Sequence, residues 1–150
     1  MAMEFLDPEW RQRLDRLFQK AAFIQNLGLK PGEVGAGYCE THLEIQNYHK
    51  QQNRLVHAGV LATMADHSAG GAATTLLKPS QYVLTVEFKV NLLRPAQGRA
   101  LRCRAQVLKA GARLSFVESE VFCRDGEGEA LVAKASVTLA VLENLKEENP

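Results

Sequence analysis

Polar and apolar positions change their period along the chain, and the changes divide it into elements. Residues 8–26 repeat at helical spacing. Trp10, Leu14, Leu17, Phe18, Ala21 and Ile24 share one side, and Arg11, Arg13, Asp15, Arg16 and Lys20 fill the other. Asp7 and Pro8 suit a helix start and Gly28 a helix end. Pro31-Gly32 predicts a turn and residues 33–45 a first strand, followed by a polar connection over 46–56. Residues 59–77 are apolar around almost the whole circumference of a helix, from Val60 and Leu61 through Met64 and Ala69 to Leu77. Such a helix is enclosed on most sides. Lys78-Pro79-Ser80 ends it.

Beyond Pro79 the period drops to two. Residues 81–93 alternate, with Tyr82, Leu84, Val86, Phe88, Val90 and Leu92 predicted on one face and Val83, Thr85, Glu87, Lys89 and Asn91 on the other. Residues 99–109, 113–123 and 129–142 read as further strands, with turns at Arg94-Pro95, Gly111 and Asp125-Gly126. Four consecutive strands with tight connections predict an antiparallel meander. Only the helix over 59–77 is long and apolar enough to cover its inner face. The expected architecture is α+β: a curved antiparallel sheet of about five strands wrapped round a long central helix, with an extra N-terminal helix. Residues 1–150 read as a single domain, with the N-terminal helix over about 8–26, a core over about 30–142 and a charged tail over 143–150.

Composition removes several classes of function. There are 18 basic and 17 acidic residues, a net charge of +1, so the basic excess that nucleic acid or an anionic membrane would require is missing. Cys39, Cys103 and Cys123 are odd in number and form no CxxC pair, which supports neither a disulfide framework nor a zinc knuckle and fits a reducing cytoplasm. The first ten residues carry Glu4, Asp7 and Glu9 and no basic stretch, unlike a signal peptide. The apolar run Val60–Leu77 holds Asp66, which would cost a membrane span about 2.5–3.5 kcal/mol. His42, His49, His57 and His67 share no chelating pattern with acids, so no metal is expected.

Asp66 is the residue that does not fit its surroundings. A carboxylate within an apolar helix must be paired or wetted by a cavity. It is either locked to a hydroxyl or amide as structure, or kept for chemistry. His67 points about 100° away on the wheel and reads as an ordinary polar residue rather than a base. At the helix start, Val56-His57-Ala58-Gly59 places small residues where unpaired N–H groups and the positive end of the helix dipole suit an oxyanion. Asp66 follows His57 by nine positions, a rise of about 13–14 Å. The helix start and the aspartate of one chain therefore cannot act on one carbonyl, whereas two antiparallel helices in a symmetric dimer bring them together.

The run His57-Ala58-Gly59-Val60-Leu61-Ala62-Thr63-Met64-Ala65-Asp66, the segment from Thr85 to Arg94-Pro95-Ala96, and the last strand from Gly126 to Leu142 carry a resemblance. Over about residues 30–142 the chain resembles the hotdog-fold acyl-CoA thioesterases of the phenylacetate-pathway (PaaI-like) type. The resemblance implies hydrolysis of an acyl-CoA thioester to free acid and CoA. It implies no cofactor beyond the coenzyme A of the substrate, and a homodimer of joined sheets, commonly paired into a homotetramer. It makes Asp66 the general base or nucleophile, the Ala58 N–H the oxyanion donor, His57 and Gly59 the supporting turn, and Thr85 the hydroxyl that helps place the water. Ala58 replaces the first glycine of the family's H-G-G and adds a methyl group. Gln51 stands where the family often has asparagine, with Asn53 nearby. Arg94, Lys109 and Arg113 are candidate partners for CoA phosphates. Met64, Ser68 and Tyr82, with the N-terminal helix, are candidates for the acyl pocket. Two alternatives stand beside this reading. A hotdog protein that binds acyl-CoA without cleaving it would gain nothing from Asp66. A hotdog enoyl-CoA hydratase or dehydratase would use His57 and Asp66 as a pair, but their spacing fits the thioesterase pattern better.

Overall fold

The computed structural model describes residues 2–144, so 145–150 of the predicted charged tail lie outside the described residues. The expected N-terminal helix is two helices, α1 (Trp10–Gln19) and α2 (Ala22–Leu27). Ala21 adopts an extended conformation between them, which redirects the chain so that Leu14 and Phe18 of α1 and Ile24 of α2 are all buried. The Asp7 carboxylate caps the turn before α1 by accepting the Glu9 N–H at 2.8 Å. Gly28, at φ 84°, closes α2 in the left-handed conformation that glycine alone adopts freely. The single strand expected over 33–45 is a hairpin of β1 (Lys30–Gly35) and β2 (Tyr38–Glu44), turned at Gly37.

The chain then forms the helix α3 (Ala58–Thr74) and the strands β3 (Gln81–Leu92), β4 (Ala100–Ala110), β5 (Leu114–Asp125) and β6 (Gly128–Glu143). All strands pair antiparallel in one six-stranded sheet, in the order β1-β2-β4-β5-β6-β3. The expected meander is therefore corrected at one place. β3 does not lie beside β4; it pairs with β6 at the sheet edge. The reason is the helix. β2 occupies the position beside β4, so the chain leaves the sheet, runs as α3 across its inner face, and re-enters at the opposite edge. Among the described residues no helix is long and apolar enough to cross a membrane.

The sheet's inner face and α3 share one core. Met64, Ala65, Ala69 and Ala72 are fully buried with Cys39, Cys103, Ala105, Val121 and Ala133. Burying one Val or Leu side chain contributes about 1.5–3 kcal/mol. Buried polar ties fix the helix on the sheet. The Ser119 hydroxyl donates to Ala65 O at 2.8 Å, and the Thr41 and Ser68 hydroxyls bond each other at 2.7 Å. A Cβ at Gly71 would lie 2.8 Å from Cys39 Sγ, so the close approach of α3 to β2 depends on glycine there. At Gly70, one step round the helix, a Cβ would meet nothing within 4 Å.

A β-bulge between Thr85 and Glu87 changes the phase of β3. The single apolar face expected from Tyr82 to Leu92 is thereby split. Before the bulge Val83 and Thr85 lie on the inner face; after it Phe88, Val90 and Leu92 share that face, opposite Val137, Ala135 and Ala133, with Val90 packed on the core and Phe88 and Leu92 left exposed. Tyr82 and Leu84 turn to the outer face, opposite Leu142 and Ala140.

A clamp holds α1 to the loop between α3 and β3. The Arg13 guanidinium pairs with Asp7 at 2.8 Å and donates to Lys78 O and Gln81 O. The Glu9 amide and the Arg13 guanidinium hold the Asp7 carboxyl below the ordinary carboxylate range.

Two predictions test this packing. In chemical denaturation, Gly71→Ala is expected to destabilise by about 1–3 kcal/mol through overpacking, while Gly70→Ala is neutral or stabilising by up to about 1 kcal/mol. Asp7→Asn is expected to lower the melting temperature at pH 7. Because the folded-state value is depressed, wild type holds this contribution above the unperturbed value of 3.8 and loses it as the pH falls further. The gap between the two melting curves should therefore close in strong acid; a gap that persists there would overturn the assignment.

Candidate functional site

The first half of the site is the start of α3. His57 caps the helix, its Nδ1 accepting the Gly59 N–H at 2.8 Å. That acceptor role leaves the ring proton on Nε2. The His57 N–H donates to His49 O and the Val56 N–H to Ala96 O, each at 2.9 Å, so the turn is anchored on both sides. Gly59 thus has its N–H occupied by the cap. The preceding N–H, that of Ala58, makes no hydrogen bond among the described residues and belongs to an exposed residue. Unpaired first-turn amides carry the positive end of the helix dipole.

Around this turn lies a cleft of about 500 Å³, lined by Gln51, Leu55, His57, Ala58, Leu92 and Arg94 among others. The Gln51 side-chain carbonyl accepts the Asn53 N–H, which leaves its NH2 group free to donate. Asn53 is exposed and does not line the cleft. Arg94 donates to Leu131 O at 2.8 Å, which steadies it at the cleft wall. Leu92, Leu93 and Pro95 also wall the cleft, a role not read from the sequence. The signal was the break in alternation at Leu92-Leu93.

The second half is Asp66, half-buried near the middle of α3. Its Oδ1 accepts the Thr85 hydroxyl at 2.7 Å, and its Oδ2 has no partner among the described residues. The bulge in β3 aims Thr85 at this carboxylate. Asp66 shares one side of α3 with Gly59, Ala62 and Thr63, a strip that neither the sheet nor α1 buries. Ala58 and Asp66 stand about 12 Å apart along the helix axis. One chain therefore presents the free amide and the free carboxylate oxygen at separate places.

Other expected residues lie elsewhere. Met64 and Ser68 are fully buried on the opposite side of α3 from Asp66, where they pack the core and the Ser68 hydroxyl bonds Thr41 and Met64 O. Lys109 and Arg113 lie at the far end of β4 and in the turn after it, away from the cleft that holds Ala58. His67, next to Asp66 in the chain, faces α1 instead, its ring edge-on to Phe18 with centroids 4.8 Å apart. Burial holds its imidazole below the usual range, and the Asp66 charge only partly opposes this.

Comparison with known proteins gives these positions a context. The family model described as the thioesterase superfamily matches residues 53–138. The structure of a thioesterase family protein from Silicibacter pomeroyi is similar with a TM-score of 0.88, at 30% identity over 90% of this chain and 99% of that one. A phenylacetic acid degradation-related protein of Ralstonia eutropha is similar with a TM-score of 0.74, at 26% identity over 85% of this chain and 98% of that one. In sequence, the 1,4-dihydroxy-2-naphthoyl-CoA hydrolase of Listeria monocytogenes is 24% identical over 81% of this chain and 97% of its own length.

The capping geometry carries a prediction of its own. His57→Ala removes the acceptor for the Gly59 N–H and is expected to cost about 1 kcal/mol of stability, read as a lower denaturation midpoint. An unchanged midpoint would show that the imidazole does not cap the helix in solution.

Proposed function

The chain belongs to the thioesterase superfamily, and on that premise we propose that it hydrolyses the thioester bond of an acyl-CoA in a site built from two subunits. One observation carries the reading: Asp66 has one oxygen held by Thr85 and the other unpaired, on the uncovered side of a helix whose first free amide is that of Ala58. The edge strand β3 supports the pairing of subunits. Among the described residues it is hydrogen-bonded on one side only, and it exposes Leu84, Val86, Phe88 and Leu92. Such an edge is a template for another strand. Two copies joined there about a two-fold axis would bring the α3 helices side by side and antiparallel, with Ala58 of one chain near Asp66 of the other.

In that arrangement the thioester carbonyl oxygen accepts the Ala58 N–H, which stabilises the negative charge that develops on it. Asp66 of the second chain takes a proton from water as the water oxygen bonds to the carbonyl carbon. The C–S bond then breaks, and the CoA thiolate leaves with the proton. Attack by the carboxylate itself, with later hydrolysis of the anhydride, uses the same positions. Gln51, with its free NH2, is placed to hold the water or the oxyanion. Arg94 is the cationic residue of the cleft and the candidate partner for CoA phosphates. A hydratase pairing of His57 with Asp66 is disfavoured, because His57 Nδ1 is committed to the cap. The Listeria hydrolase and the Ralstonia protein favour an aromatic acyl group among the substrates to try first.

The test is thiol release from a panel of acyl-CoAs. Asp66→Asn is expected to lower kcat by at least about 10²-fold. Ala58→Pro is the matching change at the amide. Proline suits the first position of a helix, and His57, at ψ 138°, already has the conformation that precedes proline. It deletes one N–H without breaking α3, and kcat should fall about 10²–10³-fold. Mixing the two inactive variants should restore about one quarter of the wild-type rate, since half of randomly formed dimers are hybrids with one intact site. No recovery on mixing, once hybrids have formed, would mean that amide and carboxylate act from the same chain and would sink the two-subunit reading.

A further inference from the structure

The His49 imidazole is 1% exposed, and both of its nitrogens are committed to backbone groups. Nδ1 accepts the Gln46 N–H at 2.9 Å. Nε2 lies 2.7 Å from Leu27 O, a carbonyl at the C-terminal end of α2 that can only accept, so the ring proton sits on Nε2. One ring thus joins the N-terminal helices to the connection that leads into α3. The main chain of the same residue continues the link. His49 O accepts the His57 N–H at 2.9 Å, and the neighbouring Lys50 and Val56 form a β-bridge. These contacts close the base of the loop that carries Gln51. They also hold the amide on one side of Ala58, while the His57 ring holds the Gly59 amide on the other. The free Ala58 N–H has no intrahelical acceptor to direct it. Its direction is set by these two neighbours, and one of them depends on His49.

We infer that His49 is a positioning residue of the reaction: it fixes the Ala58 amide at the point where the oxyanion develops, and it makes that placement depend on α2. The inference rests on the thioesterase reading and extends it to a residue that does not line the cleft. An oxyanion donor acts as negative charge develops, so a displaced amide slows the chemical step and leaves substrate binding nearly unchanged. A misplacement of about 1 Å lowers such a rate by about 10²-fold. The two ring contacts are separable. Nδ1 holds the short turn over Asn47–His49, and Nε2 holds the end of α2. Asparagine at this position places an amide oxygen near the site of Nδ1, and glutamine places an amide nitrogen near the site of Nε2. Each substitution therefore keeps one contact and cuts the other.

The experiment compares kcat and KM of wild type, His49→Phe, His49→Asn and His49→Gln on the acyl-CoA that wild type cleaves fastest, each alone and combined with Ala58→Pro. His49→Phe is expected to lower kcat by about 10- to 100-fold, with KM changed by less than about threefold. Asn and Gln should each recover part of that loss. With Ala58→Pro the amide is gone, and the same substitutions should then change kcat by less than about twofold. A kcat that holds while KM rises, or a loss as large with Ala58→Pro as without it, overturns the positioning role. Two further measurements do not depend on activity. In wild type, nitrogen NMR of the imidazole should find the His49 proton on Nε2. The His57 amide should be protected from hydrogen exchange, and His49→Asn should speed that exchange at least about fivefold. A proton on Nδ1, or an exchange rate that His49→Asn leaves unchanged, overturns the link. If wild type releases no thiol while tautomer and exchange come out as expected, the link is supported and hydrolysis is what falls.

Discussion

A helix that is apolar almost all the way round must be enclosed, and one sheet can enclose only part of it. The rest of the architecture follows from that constraint. The sheet curves round α3 and gathers Met64, Ala65, Ala69 and Ala72 into its concave face. α1 takes a flank with Leu14 and Phe18, against which the neutral His67 ring packs. What is left is a strip of small residues with a single carboxylate in it. The chemistry proposed for the chain sits where the enclosure is incomplete.

The position of that strip is held by polar contacts as much as by packing. Ser119 on Ala65 O, and the Thr41–Ser68 pair, prevent α3 from rotating or sliding within an apolar surface that would tolerate either. Gly71 sets the depth at which the helix lies against β2. The bulge in β3 then decides what faces the carboxylate. Without the extra residue Thr85 and the later apolar residues could not share the inner face. A local irregularity of one strand thus supplies the hydroxyl that holds Asp66.

Much of this was legible in the residues, and the failures have physical causes. The long helix was plain from its unbroken apolar run, and Asp66 from its contrast with that run. Its apolar circumference, however, carries no direction, so Met64 and Ser68 could not be told from substrate-facing residues until the sheet chose a side. The place of β3 was misread because short connections suggest neighbours, whereas β4 was already taken by β2. The phase of β3 was misread because a bulge leaves no mark on an alternating pattern. The break between α1 and α2 hides in an alanine, a residue with no preference for turning.

The strand order has a consequence for how the chain reaches this state. Among the described residues β3 pairs with β6 alone, and β6 follows it in the chain by about 40 residues. At about 5–20 residues per second of synthesis, β3 therefore emerges seconds before its partner. During that interval both of its edges are open, and Leu84, Val86, Phe88 and Leu92 are presented to whatever else the ribosome exit encounters. Glu87 and Lys89, alternating with the apolar residues of this strand, act as gatekeepers for that interval.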